Sequence, residues 1–148
     1  MKKLMFAAMF AAAFGLSAAE ANLALNKTVS ASSSQDNKMV AKNAVDGKSG
    51  TRWSSQFKDP QWIMVDLGSN QKVGKVVLSW EAAAGKNFKI QVSKDGKTWK
   101  DVAVKKDGKG GKETFTFKQE DARYVRMFGE QRKTNFGYSL WEFEVYAK

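Results

Sequence analysis

The segment Phe88-Lys89-Ile90-Gln91-Val92-Ser93, followed by Lys94-Asp95-Gly96-Lys97, constrains this chain more than any other. Phe88, Ile90 and Val92 alternate with Lys89 and Gln91, and a period of two puts the apolar residues on one face of an extended strand. Asp95-Gly96 then tolerates the positive φ angles that a tight hairpin turn needs. The alternation recurs in Trp62-Ile63-Met64-Val65-Asp66-Leu67, where Ile63, Val65 and Leu67 share a face. Further strands are predicted over 73–80, 98–104, 113–117, 123–128 and 140–146, and no stretch after residue 22 sustains a helical repeat over three turns. Short strands at this spacing predict one all-β domain, a two-sheet β-sandwich in which each sheet buries one face against the other. The chain has no cysteine, so no disulfide can staple it. At this length it can hide roughly two thirds of its unfolded surface, enough for a core to hold it.

The first 21 residues read as an address. Lys2 and Lys3 precede an apolar run from Leu4 to Leu16, and Ser17-Ala18-Ala19-Glu20-Ala21 places small residues before a cut after Ala21. That is the pattern of a secretory signal peptide, with an apolar run too short to span a bilayer. The domain is then 22–148, a secreted or periplasmic product of net charge +9.

Composition removes several chemistries. With neither histidine nor cysteine there is no imidazole base, no thiol nucleophile and no ordinary zinc or haem site. The lysine and arginine excess, 25 against 15 acidic residues, favours anionic partners. The basic residues are spread singly, apart from Lys105-Lys106 and the 108–112 loop, which argues against nucleic acid. The tryptophans Trp53, Trp62, Trp80, Trp99 and Trp141 are expected in the core or between the sheets, with Trp80 the first exception.

Asp46-Gly47-Lys48-Ser49-Gly50-Thr51 offers a carboxylate, a sharp turn and a hydroxyl within six residues. Calcium takes six to eight oxygens and loops supply them by mixing carboxylates with carbonyls. Read from composition alone, an ordinary Asp-Gly turn explains the same residues.

Several runs resemble a known family. They are Asn22-Leu23-Ala24-Leu25-Asn26-Lys27-Thr28-Val29-Ser30-Ala31-Ser32, Asn43-Ala44-Val45-Asp46-Gly47 and Thr51-Arg52-Trp53-Ser54-Ser55, then 61–68, 90–99, 122–126 and 138–145. Together they resemble a discoidin, or coagulation factor 5/8 C-terminal type, domain. The 80–83 run and the 137–142 ending are similar to bacterial carbohydrate-binding module family 32. The resemblance implies a galactose-binding-domain-like jelly roll that binds polysaccharide without catalysis. It also implies structural calcium (Ca2+) held by Asp46, Thr51 and Glu142 with the carbonyls of Asn43, Lys48 and Trp141.

Similar modules bind through loops at one end of the sandwich. In this sequence those places hold Gln35, Asp36, Arg52, Phe57, Lys58, Asp59, Glu81, Arg132, Phe136 and Tyr138. Sugars present apolar C–H faces to aromatic rings and hydroxyls to charged or amide groups. Phe57 and Phe136 lie in polar surroundings and read equally as exposed platforms or core plugs. The Tyr138 hydroxyl could instead cap a turn, and Glu81 could pair with Arg52 or Lys86. Galactose-binding members commonly use a histidine, which is missing here, and +9 opposes a polycation. A polysaccharide or cell-surface glycan, neutral or anionic, is therefore the expected partner of a monomeric, non-catalytic domain. Anionic membrane is the alternative, since animal discoidin domains bind it. Asp36, Asp59 and Glu81 are the only acids near these loops, too few marked features for a hydrolase pair.

Overall fold

The computed structural model describes residues 19–148. The expected leader therefore lies outside the described residues except for its last three positions. Seven strands follow in order: β1 (Thr28–Ala31), β2 (Trp53–Ser54), β3 (Gln61–Trp80), β4 (Gly85–Ser93), β5 (Lys100–Lys105), β6 (Lys112–Arg132) and β7 (Ser139–Tyr146), with a single 3-10 turn at Ala41–Ala44.

Two strands are far longer than predicted. The runs expected at 62–67 and 73–80 form one strand, β3, and those at 113–117 and 123–128 form another, β6. The interruptions are real, but they are kinks rather than ends: the β3–β6 register jumps between Asp66 and Gln71 and again between Val73 and Lys75. Such bulges bend a strand and let it leave one sheet for another. The first half of β3 pairs with β1 and with the end of β6, which continues to β4 and β5. Its second half pairs with the start of β6 and with β7, which carries β2. The two layers of the sandwich are thus the two ends of the same long strands, joined in one antiparallel hydrogen-bonded path.

Between the layers lie Ile63, Val65 and Leu67 of β3, Phe88, Ile90 and Val92 of β4, and Phe143 and Val145 of β7, all buried as their alternation predicts. Trp53 is fully buried, with its indole N–H donating to the Ser33 carbonyl at 3.0 Å. Trp80, expected to be the exception, is also in the core, edge-to-face with Phe88 at 5.3 Å. Trp62, Trp99 and Trp141 are only half-buried. Asn22 and Leu23 are tied to the last strand, where Val145 N–H donates to the Asn22 Oδ1 at 3.0 Å and Leu23 N–H donates to the Val145 carbonyl at 2.7 Å.

The predicted hairpin turn forms. The Asp95 carboxylate accepts the N–H groups of Lys97 and Thr98, each at 2.8 Å, and these bonds hold its pKa down at about 2. A carboxylate with a depressed native pKa stabilises the fold above its unfolded value and loses that contribution as pH falls through the native one. Melting temperature should therefore fall as pH drops from 3.8 to about 2, and Asp95→Asn should flatten that part of the curve. An unchanged slope in the variant would rule the turn out as its source.

Candidate functional site

Four loops converge at one end of the sandwich, clamped by main-chain bonds. Ser55 N–H donates to the Tyr138 carbonyl, Glu81 N–H to Ser139, Ser139 N–H to Ala83, and Gln35 N–H to Ser54, all within 2.9 Å. Gly137 permits the closest approach, since a Cβ there would overlap the Ser55 side chain and the Gln56 carbonyl. Rigid clamping of this kind lets loops hold a binding geometry without ligand.

These loops enclose a cleft of about 270 Å³ lined by Gln35, Arg52, Phe57, Glu81 and Phe136 together with Ser54, Ala82, Ala83 and Gly137. Five of the residues expected from the sequence are therefore brought together. Phe57 is 48% exposed and Phe136 60%, and their rings meet edge-to-face with centroids 5.6 Å apart. Both are exposed and neither is a core plug. On the polar side Arg52 lies 3.7 Å from the Glu81 carboxylate and donates to the hydroxyls of Ser54 and Ser139 at 2.6 and 2.7 Å. Glu81 also accepts the Ala83 N–H at 3.0 Å. The Arg52 pairing left open for Glu81 is the one formed, and it fixes both charged groups within the cleft rather than removing them from it. The small residues of the lining carry no sequence signal, because what they contribute is space.

Beyond Phe136 the surface opens into a shallower groove lined by Asp59, Arg132 and residues 133–135. Arg132 pairs with Asp59 at 3.3 Å and donates to the carbonyls of Asn135 and Phe136. Two expectations need correcting. Tyr138 is fully buried, so its ring cannot meet a ligand; its hydroxyl donates to Asp59 at 2.6 Å, and burial pushes its pKa up. Asp36 does not line the cleft, since its carboxylate accepts the N–H groups of Lys38 and Met39 and caps a turn of its own.

The Asp46 loop lies against β7. Asp46 accepts the Lys48 N–H at 2.9 Å and the Thr51 hydroxyl, and its carboxylate neighbours that of Glu142. Burial and the Asp46 charge push the Glu142 pKa up to about 8. One Glu142 oxygen is buried without any partner among the described residues. Trp141 sits at an irregularity of β7 where the register skips from Glu142 to Leu140. Asn43 uses its side-chain amide to bond the carbonyls of Lys38 and Arg52 and so shapes the loop. Among the described residues no three acidic groups lie close enough to hold a metal by themselves, so the remaining oxygens would have to be carbonyls. Two adjacent carboxylates, one with an orphaned oxygen, fit a hard cation.

A two-layer antiparallel sandwich whose end loops form an aromatic-walled cleft has the architecture of the galactose-binding-like β-sandwich class. The chain belongs to the F5/8 type C family: the family model described as a NedA-like, galactose-binding domain matches residues 43–127. Among solved structures it is similar to chitosan-binding module 1 of a chitosanase/glucanase from Paenibacillus sp. IK-5, with 50% identity, a TM-score of 0.83, and coverage of 85% of this chain and 98% of that one. Module 2 of the same enzyme, solved in complex with chitotriose, is 42% identical at a TM-score of 0.83, covering 84% and 99% of the two chains. The chain is also 34% identical over 117 residues to a polysaccharide lyase 8 family protein, HylA, of Enterococcus faecalis. That match takes in 74% of this chain but only 8% of the lyase.

Proposed function

We propose that the chain is an exported, non-catalytic module that holds one or two β-linked pyranose units of a polysaccharide in the Phe57–Phe136 cleft. The observation carrying this reading is the exposed ring pair set opposite a fixed Arg52–Glu81 pair, apolar wall against polar floor. A sugar's C–H face would lie on the rings while its hydroxyls or amine met Gln35, Arg52 and Glu81. Hydrogen bonds to charged groups contribute about 1.5–3 kcal/mol each and neutral ones about 1. Two or three of them with one stacked ring, less the ordering cost, correspond to roughly micromolar to millimolar affinity.

The likeness to chitosan-binding modules supports a glucosamine polymer as first ligand, with Glu81 meeting the ammonium group. The net charge of +9 over residues 22–148 and the neutral Gln35 favour a neutral or anionic chain as the second reading. Titration with chitotriose, cellotriose and a galacturonate oligomer at low and high salt separates them. Retention by an anionic polymer that did not weaken with salt would remove the electrostatic reading. Phe57→Ala and Phe136→Ala should each abolish polysaccharide retention and leave the melting temperature unchanged. Full retention by both variants would overturn the cleft assignment, and so would binding to anionic vesicles in preference to every glycan. Export would follow from the 1–21 leader. A structural calcium ion held by Asp46, Thr51, Glu142 and the carbonyls of Asn43, Lys48 and Trp141 would pin the first loop to the last strand.

A further inference from the structure

The outer face of the β1–β3–β6–β4–β5 layer carries aromatic residues where a solvated sheet face carries polar ones. Because Ile63, Val65, Val125 and Met127 point inward, their alternates Trp62, Met64, Tyr124, Arg126 and Phe128 point out and are half-buried. Trp62 and Phe128 are direct cross-strand partners, as are Met64 and Arg126, and Gln91 lies opposite Arg126 on the other side. Trp99 reaches over from the β4–β5 turn. Its ring centroid is 4.0 Å from the Arg126 guanidinium, and that of Phe128 is 5.1 Å away.

Arg126 is unlike the chain's other arginines. Arg52, Arg123 and Arg132 are each paired with an acid, at 3.7, 2.9 and 3.3 Å. Arg126 forms no ion pair among the described residues; its Nε donates to Gln91 at 2.7 Å, and Gln91 donates in turn to Asp101 at 2.7 Å. Asp101 is offset by Lys89 at 3.5 Å. The guanidinium is thereby fixed in orientation, flanked by two rings, and left with both terminal nitrogens free of hydrogen bonds to the described residues. Partial burial also lowers its pKa, against an opposing pull from the Asp101 charge, so the guanidinium is a partly desolvated cation without a direct ion pair. A planar guanidinium whose terminal nitrogens lack partners among the described residues matches a carboxylate through two parallel N–H bonds. The rings beside it suit the faces of pyranoses on either side of that carboxylate.

We propose that this sheet face is a second glycan surface, separate from the end-loop cleft, which binds an acidic polysaccharide by seating a uronate carboxylate on Arg126 and sugar rings on Trp99 and Phe128. An ion pair at this partly exposed position weakens with salt.

Trigalacturonate is the probe, followed by proton–nitrogen NMR at Trp99 Nε1 and Arg126 Nε in the full mature chain, with cellotriose as the neutral control. Trigalacturonate should shift both signals, in the Phe57→Ala/Phe136→Ala double variant as in the parent, and cellotriose should shift neither. Arg126→Gln should raise the dissociation constant at least about tenfold. Arg126→Lys, which keeps the charge and the fold but loses the planar fork, should weaken binding as well. Unmoved Trp99 and Arg126 signals would overturn the proposal. So would loss of the effect in the cleft double variant, unchanged affinity in both folded Arg126 variants, or concentration-dependent dimerisation that covers Trp99.

Discussion

Tyr138→Ala should destabilise the domain by about 3–5 kcal/mol, the range for removing a fully buried aromatic side chain and leaving a cavity. The ring lies under the end loops at 0% exposure, 6.5 Å from the Trp80 ring, and it packs so closely on Gly129 that a Cβ there would overlap it. Its hydroxyl also holds Asp59, which in turn holds Arg132. Single domains are stable by only about 5–15 kcal/mol, so the variant should stand near its unfolding midpoint in mild urea. Tyr138→Phe keeps the ring and loses one bond to a partly exposed carboxylate, a cost of about 1.5 kcal/mol, the low end for bonds to charged groups. Urea unfolding of the two variants measures this directly. Equal, small losses in both would place the ring at the surface, in contact with ligand and not with the core.

The second large effect concerns calcium. Added to chelated protein at about a hundred times its dissociation constant, the ion should stabilise the fold by about 2.7 kcal/mol. For a domain of this size that corresponds to a rise in melting temperature of roughly 10 °C. The increase should vanish in Glu142→Gln, whose uncharged side chain suits the buried position in the absence of metal but cannot supply the second charge. Asp46→Ala is less selective, because it also loses the Lys48 and Thr51 bonds. A melting curve that ignores both chelator and calcium would leave Asp46 and Glu142 as a carboxylate pair sharing a proton.

The chitosan-binding relatives give the end-loop cleft a context that charge arithmetic alone opposed. Net charge is a property of the whole surface, whereas a ligand meets the few groups of one cleft. Here those groups include Glu81 beside Arg52. If both the cleft and the Arg126 face bind, the module grips two chemically different glycans at once, and the avidity of the pair can exceed either affinity alone.

The sequence by itself determined the all-β class and the inward residues of the runs at 62–67 and 88–93, because a period of two fixes the face of every side chain as soon as one is buried. It also determined the Asp95-Gly96 turn and the candidates for the cleft, since polar neighbours around Phe57 and Phe136 leave no strand face for those rings to occupy. The tertiary structure alone decided that two strands run through both layers, for a bulge and a strand end read alike in one dimension. It alone separated Tyr138 and Trp80, buried between the sheets, from Phe57 and Phe136, exposed on the loops. The same kind of side chain becomes core or platform according to what the rest of the chain stacks upon it. The pairing of Arg126 with Trp99, 27 positions away in sequence, arises because β4, β5 and β6 lie side by side, a neighbourhood that only the register creates.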